Sequence, residues 1–162
     1  MKKMKDFSGK PWWNYLDKVQ QDLIKQSLYL VEDEEKRPQA LTDYSFVVFP
    51  AAKAYEGFLK KYLFVQGLIN VQTYEGRRFR IGRSLNPDVH MDQRDEFWLY
   101  DDIVRICGDQ TAREVWDVWL KCRNQVFHYF VKDPKQLSLE QARAYQNLII
   151  DVMKKLASCI NH

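Results

Sequence analysis

Apolar side chains recur every three or four residues along several long stretches of this chain, the spacing of a helix with one buried face. The first stretch runs from Pro11, a favoured residue in a first helical turn, to about Glu35. The second, from about Ser45 to Val65, is apolar on most sides, which is typical of a helix in the middle of a bundle. Glu56 is its lone acid, and a buried carboxylate needs a partner.

Three further helices are predicted in the second half of the chain. They span residues 94–106, from after 109 to about 131, and from Ser138 to about Ile160, where Ser138 and Gln141 have the pattern of a capping box. Five helices, most of them long, predict an all-α, antiparallel bundle. Between residues 70 and 92 the pattern alternates only weakly, which predicts an irregular segment or a short hairpin.

The composition is that of an ordinary folded domain. Of the 162 residues, 46% are hydrophobic and 29% are charged, as in soluble globular proteins. Six glycines and five prolines are few turn residues, which argues against a β-sandwich. We therefore expect one domain over residues 1–162.

Nothing in the sequence predicts a membrane segment or a secretory route. No apolar run approaches the roughly 18 residues of a membrane span. The first ten residues are basic, but no apolar stretch follows them as in a signal peptide. We expect a cytoplasmic location and no membrane partner, and the net charge of +3 permits an anionic partner without requiring one.

Cysteine and histidine usage argues against disulfide and metal chemistry. Cys107, Cys122 and Cys159 are widely spaced and form no CxxC pair, so we expect three reduced thiols. His90 and His162 lie at no ligand spacing from another Cys, His or acid. We therefore expect no metal site and no cofactor.

A polar group with catalytic potential lies near the end of the fourth predicted helix, in the run from Arg123 to His128 (RNQVFH). On a helical wheel Asn124 and His128, four residues apart, fall on nearly the opposite side from the core stripe. Two interpretations are open. The group is a solvated polar face, or it is a site that joins a permanent cation to a side chain titrating near pH 7.

Four arginines cluster in the irregular segment: Arg77, Arg78, Arg80 and Arg83. Such a cluster is most often a solvated loop. The functional alternative is a surface for the RNA backbone, because neutralising phosphates takes clustered arginines.

The run RNQVFH resembles the motif of the HEPN superfamily, which is an arginine, a polar residue, a short spacer and a histidine in a small helical bundle. Residues 43–60 (DYSFVVFPAAKAYEGFLK) are similar to the second-helix region of toxins of the RNase LS type. In that branch an acid before this helix and a glutamate within it join the site. The matching positions here are Asp43 and Glu56, and the resemblance covers residues 12 to 160.

The resemblance implies an HEPN-like domain that acts as a metal-independent endoribonuclease, the toxin of a toxin–antitoxin or antiviral defence system. Arg123 and His128 are then catalytic, Asn124 and Glu56 support them, and Asp43 is a further participant. The implied partners are RNA, a second copy of the chain and a protein antitoxin. Two other classes stay open: a non-catalytic helical module for dimerisation or RNA binding, and a nucleotide-handling accessory subunit.

The residues themselves are consistent with this chemistry. RNA is cleaved without a metal when its 2′-hydroxyl attacks the adjacent phosphate. Histidine is suited to the proton transfers near pH 7, and a guanidinium to the charge of the phosphorane. Glu56 either orients His128 or Arg123, or is only a structural partner of Arg123.

Two apolar side chains, Leu120 and Phe127, flank the predicted polar face on the side of Arg123. A partly apolar face that is not the core suits a second interface. This observation and the resemblance together predict a homodimer with two-fold symmetry.

Overall fold

The computed structural model describes residues 6–160, which form eight α-helices and no β-strand. The first five residues of the basic N-terminus, together with His162, lie outside the described part. The helices are α1 (Pro11–Tyr15), α2 (Lys18–Glu34), α3 (Ser45–Val65), α4 (Val71–Glu75), α5 (Ile81–Leu85), α6 (Tyr100–Cys107), α7 (Asp109–Trp119) and α8 (Leu139–Ser158). The predicted all-α bundle is confirmed, with more and shorter helices than the five expected. In the described part of the chain, none of the helices has the length and apolar character needed to cross a membrane.

The first predicted helix is divided into α1 and α2 because a capping box interrupts it. Leu16 is extended, and the Asp17 carboxylate accepts a hydrogen bond from the Gln20 N–H at 2.8 Å. In return, the Asp17 N–H donates to the Gln20 side-chain oxygen at 3.1 Å. This reciprocal pair starts a new helix at Lys18.

Helix α3 lies at the centre of the fold, as its apolar sequence predicts, and packs against both α2 and α8. Its fully buried side chains include Tyr55 and Tyr62. A buried polar bridge ties the three helices together: the Gln146 amide of α8 donates to the Ser27 hydroxyl of α2 at 2.8 Å, and that hydroxyl donates to the Val47 carbonyl of α3. Since each of these groups is satisfied, the bridge fixes how the helices meet.

The segment between α3 and α6 is irregular, as predicted, but it contains no hairpin within the described residues. Its regular parts are α4, α5 and a 3₁₀ turn at Met91–Gln93. Asn70 caps α4, because its side-chain oxygen accepts from the Thr73 N–H at 2.8 Å. A cap of this kind favours a helical turn over a strand.

The helix predicted from Arg94 begins only at Tyr100, because side-chain contacts hold the preceding loop. The Arg94 guanidinium lies 3.8 Å from the centre of the Trp98 ring and donates to the Val89 carbonyl at 2.9 Å. The Trp98 indole N–H donates to the Asn86 carbonyl at 2.8 Å. These bonds hold residues 94–98 against the 86–89 loop instead of in a helix.

Two of the three cysteines are paired, so the prediction of three free thiols is wrong. Cys107 at the end of α6 and Cys159 after α8 form a disulfide with Cα atoms 5.6 Å apart, a usual separation for such a bond. In a reducing compartment the same two sulfurs would be thiols in contact. Cys122 is free and buried, and this burial raises the pKa of its thiol to about 12.

Candidate functional site

The helix that carries the predicted motif ends earlier than expected. Helix α7 stops at Trp119 and continues as a π-helical turn, Leu120–Asn124, in which the Gln125 N–H donates to the Leu120 carbonyl at 2.9 Å. A turn of this type takes one more residue than an α-helical turn and is frequent at functional sites. The extra residue changes the rotation of every following side chain about the helix axis.

As a consequence, His128 lies in a loop and not on the helix. The prediction of one helix to about Val131, with Asn124 and His128 on one face, is therefore wrong. The physical reason is the packing of Phe127, whose ring meets that of Phe49 on α3 edge-on at 5.4 Å. This contact draws the chain onto α3 after the π-helical turn.

The predicted site residues line two separate cavities. One, the arginine cleft, has a volume of about 460 Å³ and contains Glu56, Arg80, Arg83, Arg123 and Asn124 in its walls. The other, the histidine cleft, has a volume of about 490 Å³ and contains Asp43 and His128. The structure thus joins part of the arginine cluster to the motif arginine, and it places the motif histidine in a different cleft, with which the arginine cleft shares no lining residue.

In the arginine cleft, Glu56 of α3 is the partner of Arg123. The Arg123 Nη2 donates to the Glu56 Oε2 at 3.2 Å, and both side chains are 35% exposed. The guanidinium carbon also lies 5.1 Å from the centre of the Trp119 ring. One nitrogen of a five-donor fork is used in this pair, so further N–H donors remain for an anion in the cleft.

Gly82 allows the arginine segment to reach this cleft, a role that sequence reasoning missed. A Cβ atom at position 82 would lie 2.7 Å from the indole nitrogen of Trp119. Only glycine permits this approach of α5 to α7, which brings Arg80 and Arg83 beside Arg123. The available signal was a single glycine next to the clustered arginines.

The four arginines of the cluster have different surroundings. Arg83 pairs with Asp95 at 2.8 Å and donates to the Gln93 carbonyl at 2.6 Å, which holds the loop before α6. The hydrogen bond from Arg83 lowers the pKa of the Asp95 carboxyl. Within residues 6–160, no carboxylate lies at ion-pair distance from Arg77, Arg78 or Arg80. These three exposed cations are therefore free to bind an anion.

In the histidine cleft, Asp43 is occupied by the backbone. Its Oδ1 accepts from the Leu137 N–H at 2.9 Å, the Ser45 N–H at 3.1 Å and the Ser45 hydroxyl at 2.7 Å. The Tyr44 N–H donates back to the Leu137 carbonyl at 2.9 Å. Partial burial acts to raise the pKa of Asp43, but these hydrogen bonds outweigh it and the pKa is lowered. Asp43 thus ties the loop before α8 to the start of α3.

His128 is exposed, and its nearest aromatic neighbour is Phe130, with ring centres 6.2 Å apart. In the described part of the chain, no carboxylate forms an ion pair with its imidazole. Of the two roles left open for Glu56, the geometry therefore gives the contact with Arg123 and not one with His128. The exposed ring is accessible to a substrate or to a partner.

Among residues 6–160, no three His, Cys, Asp or Glu side chains lie close enough together to hold a metal ion. His90 pairs with Asp92 in the exposed loop before α6.

Neither a protein-family model nor a curated protein nor a solved structure matches this chain. The resemblance to HEPN toxins therefore rests on the quoted residues.

Proposed function

We propose that this protein is a metal-independent endoribonuclease of the HEPN type, with the scissile phosphate bound in the arginine cleft. The observation that carries the proposal is the Arg123 guanidinium, which is held at one corner by Glu56 and has Arg80 beside it in the same cleft. A fixed, partly buried fork next to an unpaired arginine suits a phosphate that gains charge in a transition state.

In the proposed reaction the RNA supplies its own nucleophile. The 2′-hydroxyl oxygen forms a bond to the adjacent phosphorus, and the bond from phosphorus to the 5′-oxygen breaks. His128 of one copy takes the proton from the 2′-hydroxyl, and the leaving 5′-oxygen takes a proton from the protonated His128 of the second copy or from water. Arg123 and Asn124 bind the phosphorane oxygens. The products are a 2′,3′-cyclic phosphate and a 5′-hydroxyl.

The separation of Arg123 and His128 into two clefts fits a site that two copies complete. Three exposed apolar side chains line the histidine cleft together with His128: Phe46, Phe49 and Tyr129. Exposed aromatic residues grouped at one place are typical of an interface. We propose a two-fold homodimer in which this surface is covered and both motifs line one groove.

The proposed biological role is that of a toxin in a toxin–antitoxin or defence system, acting on cytoplasmic RNA and inhibited by a protein antitoxin. Its support is the similarity of residues 43–60 and of the RNQVFH run to the RNase LS type. A neighbouring reading frame that encodes no small inhibitor would refute this part of the proposal.

The proposal is tested with the purified protein and labelled single-stranded RNA in EDTA. We expect cleavage that leaves a 2′,3′-cyclic phosphate, and a loss of at least about 100-fold in His128→Ala and in Arg123→Ala. Arg123→Lys should not restore the rate, because a point charge lacks the fork. His90→Ala, a change of an exposed loop histidine, is the matched control and should cleave as the wild type does.

Two results would refute this mechanism: near wild-type cleavage by His128→Ala, or a strict requirement for Mg²⁺. A monomeric mass by light scattering at micromolar concentrations would refute the dimer.

One observation favours a second candidate, a non-catalytic RNA-binding module. His128 lacks a carboxylate partner in the described chain and lines a different cleft from Arg123. That candidate predicts binding of single-stranded RNA without any cleavage. The third class, a nucleotide-handling subunit, predicts that a free nucleotide binds and RNA does not.

A further inference from the structure

A cavity of about 550 Å³ between α4, α5 and the loop before α6 has no role in the proposed reaction. We name it the aromatic pocket, and its walls include Gln72, Arg77, Arg78, Phe79, Ser84 and Phe97. Its volume is within the range of about 300–1,000 Å³ that small-molecule sites occupy. It adjoins the arginine cleft, because Phe79, Arg80 and Arg83 line both cavities.

The two phenylalanine rings of the pocket form a corner and not a stack. Their centres are 6.3 Å apart and their planes are inclined at 62°. Phe79 packs against the core, whereas the Phe97 side chain is 40% exposed. An apolar corner of this kind accepts a planar ring, and nucleobases stack on aromatic side chains whatever their sequence.

The pocket also carries unbalanced positive charge. Arg77 and Arg78 are exposed and, within residues 6–160, have no carboxylate at ion-pair distance. Arg80 stands at the junction with the arginine cleft. A ligand with a flat apolar part and flanking negative charges satisfies both features, and a nucleotide in a strand is such a ligand.

A buried hydroxyl in the pocket wall adds a polar contact. Ser84 is 1% exposed, and its Oγ has no hydrogen-bond partner among the described residues. Such a group is costly unless something satisfies it. The Gln72 side chain lines the same cavity, and amide groups of this type recognise the edges of bases.

We infer that the aromatic pocket binds the base of one unpaired nucleotide of the RNA, next to the phosphate that lies in the arginine cleft. The inference rests on the proposed function for the position of that phosphate. It makes single-stranded RNA the substrate class, because a base inside a duplex is stacked and paired and has to leave the helix to enter a pocket. Phe97 and Arg78 are the binding residues.

The test measures the affinity of a short fluorescein-labelled single-stranded RNA by anisotropy, with His128→Ala present in every protein so that the RNA stays intact. Phe97→Ala and Arg78→Ala should each weaken binding by about 10-fold. Tyr29→Ala and Lys18→Ala change exposed side chains of α2 that line none of these cavities, and they should bind as the parent does. Thermal denaturation of each variant verifies that it is folded.

A series of RNAs with one abasic nucleotide identifies the base that enters the pocket. At one position of the RNA, removing the base should weaken binding to the parent protein by about 10-fold. The same abasic RNA should bind Phe97→Ala no more weakly than the intact RNA does, because the abasic nucleotide and the Phe97→Ala change remove the same contact. In the protein with His128 intact, Phe97→Ala should raise KM and leave kcat within about 3-fold.

The outcomes separate the pocket from the catalytic proposal. Cleavage by the wild type, with affinities unaffected by Phe97→Ala and by every abasic position, overturns the pocket and leaves the nuclease. If Phe97→Ala and one abasic position weaken RNA binding through the same contact, but the wild type does not cleave RNA, the base pocket is supported and the nuclease proposal is overturned. Adenosine monophosphate that binds as tightly as the RNA overturns the assignment to an RNA strand, and so does equal affinity for duplex RNA.

Discussion

The contact between Glu56 and Arg123 allows a sharp test of whether Glu56 acts in chemistry or in positioning. The pair makes one hydrogen bond of 3.2 Å, and each side chain is 35% exposed. A pair that is this accessible to water contributes about 0.5–1 kcal/mol, much less than the 3–5 kcal/mol lost when a buried pair is broken. For a chain of this size, a stabilisation of about 0.5–1 kcal/mol corresponds to a change of about 1–4 °C in Tm.

The stability measurement is a double-mutant cycle of Glu56→Ala and Arg123→Ala by urea denaturation. We expect a coupling free energy of about 0.5–1 kcal/mol at low salt, which decreases as salt screens the pair. Glu114→Ala is the matched control, since Glu114 is a helical glutamate of similar exposure that pairs with Lys155 away from the arginine cleft. It should lose a comparable amount of stability and no activity.

The activity measurement uses Glu56→Gln, at a temperature well below the unfolding midpoint of both proteins. The amide keeps an oxygen that accepts from Arg123, so a positioning residue should retain cleavage within about 10-fold of the wild type, and Glu56→Ala should lose more. A carboxylate that transfers protons should lose at least about 100-fold as the amide. A 100-fold loss in a Glu56→Gln protein of wild-type stability would therefore refute the positioning role. A coupling free energy near zero would show that the pair does not stabilise the fold.

Three further predictions concern the scaffold. Asp43→Ala should lower the free energy of unfolding by about 2 kcal/mol at neutral pH. The pKa of Asp43 is lowered in the folded state. Its contribution to stability is therefore present above the unfolded pKa of about 3.9 and is lost as the pH falls through the folded pKa. Urea denaturation between acidic and neutral pH measures this, and lost cleavage at unchanged stability would instead make Asp43 catalytic. Gly82→Ala should cost about 1–3 kcal/mol, because the new methyl group meets the rigid indole at 2.7 Å. Gly57→Ala should cost less, because its methyl group meets the terminal amide nitrogen of Gln20 at 2.9 Å, and that side chain has rotatable bonds that the indole lacks. Equal Tm shifts of the two variants would contradict this. Cys159→Ser should lower the free energy of unfolding by about 4 kcal/mol without reductant, because the disulfide of Cys159 closes a loop across 52 positions. In dithiothreitol the variant and the wild type should be equally stable. Equal stability of the two proteins without reductant would argue against the bond.

The sequence alone determined the elements whose signals lie within a turn or two of the chain. Helix α3 follows from its apolar composition, and its observed bounds, Ser45–Val65, are those predicted. Helix α8 begins where Ser138 and Gln141 form the expected capping box. Periodicity and caps act between residues three or four positions apart, so they can be recognised without knowledge of the rest of the fold.

The tertiary structure decided how distant segments meet at the site. The loop position of His128 depends on the ring of Phe49, and the role of Asp43 depends on Leu137, 94 residues away. In the same way, the joining of Arg80 to Arg123 depends on the fit of one glycine against one indole. Contacts of this kind arise from packing between helices that are far apart in sequence. Periodicity describes which face of a helix is buried, but not which side chains of another segment it meets.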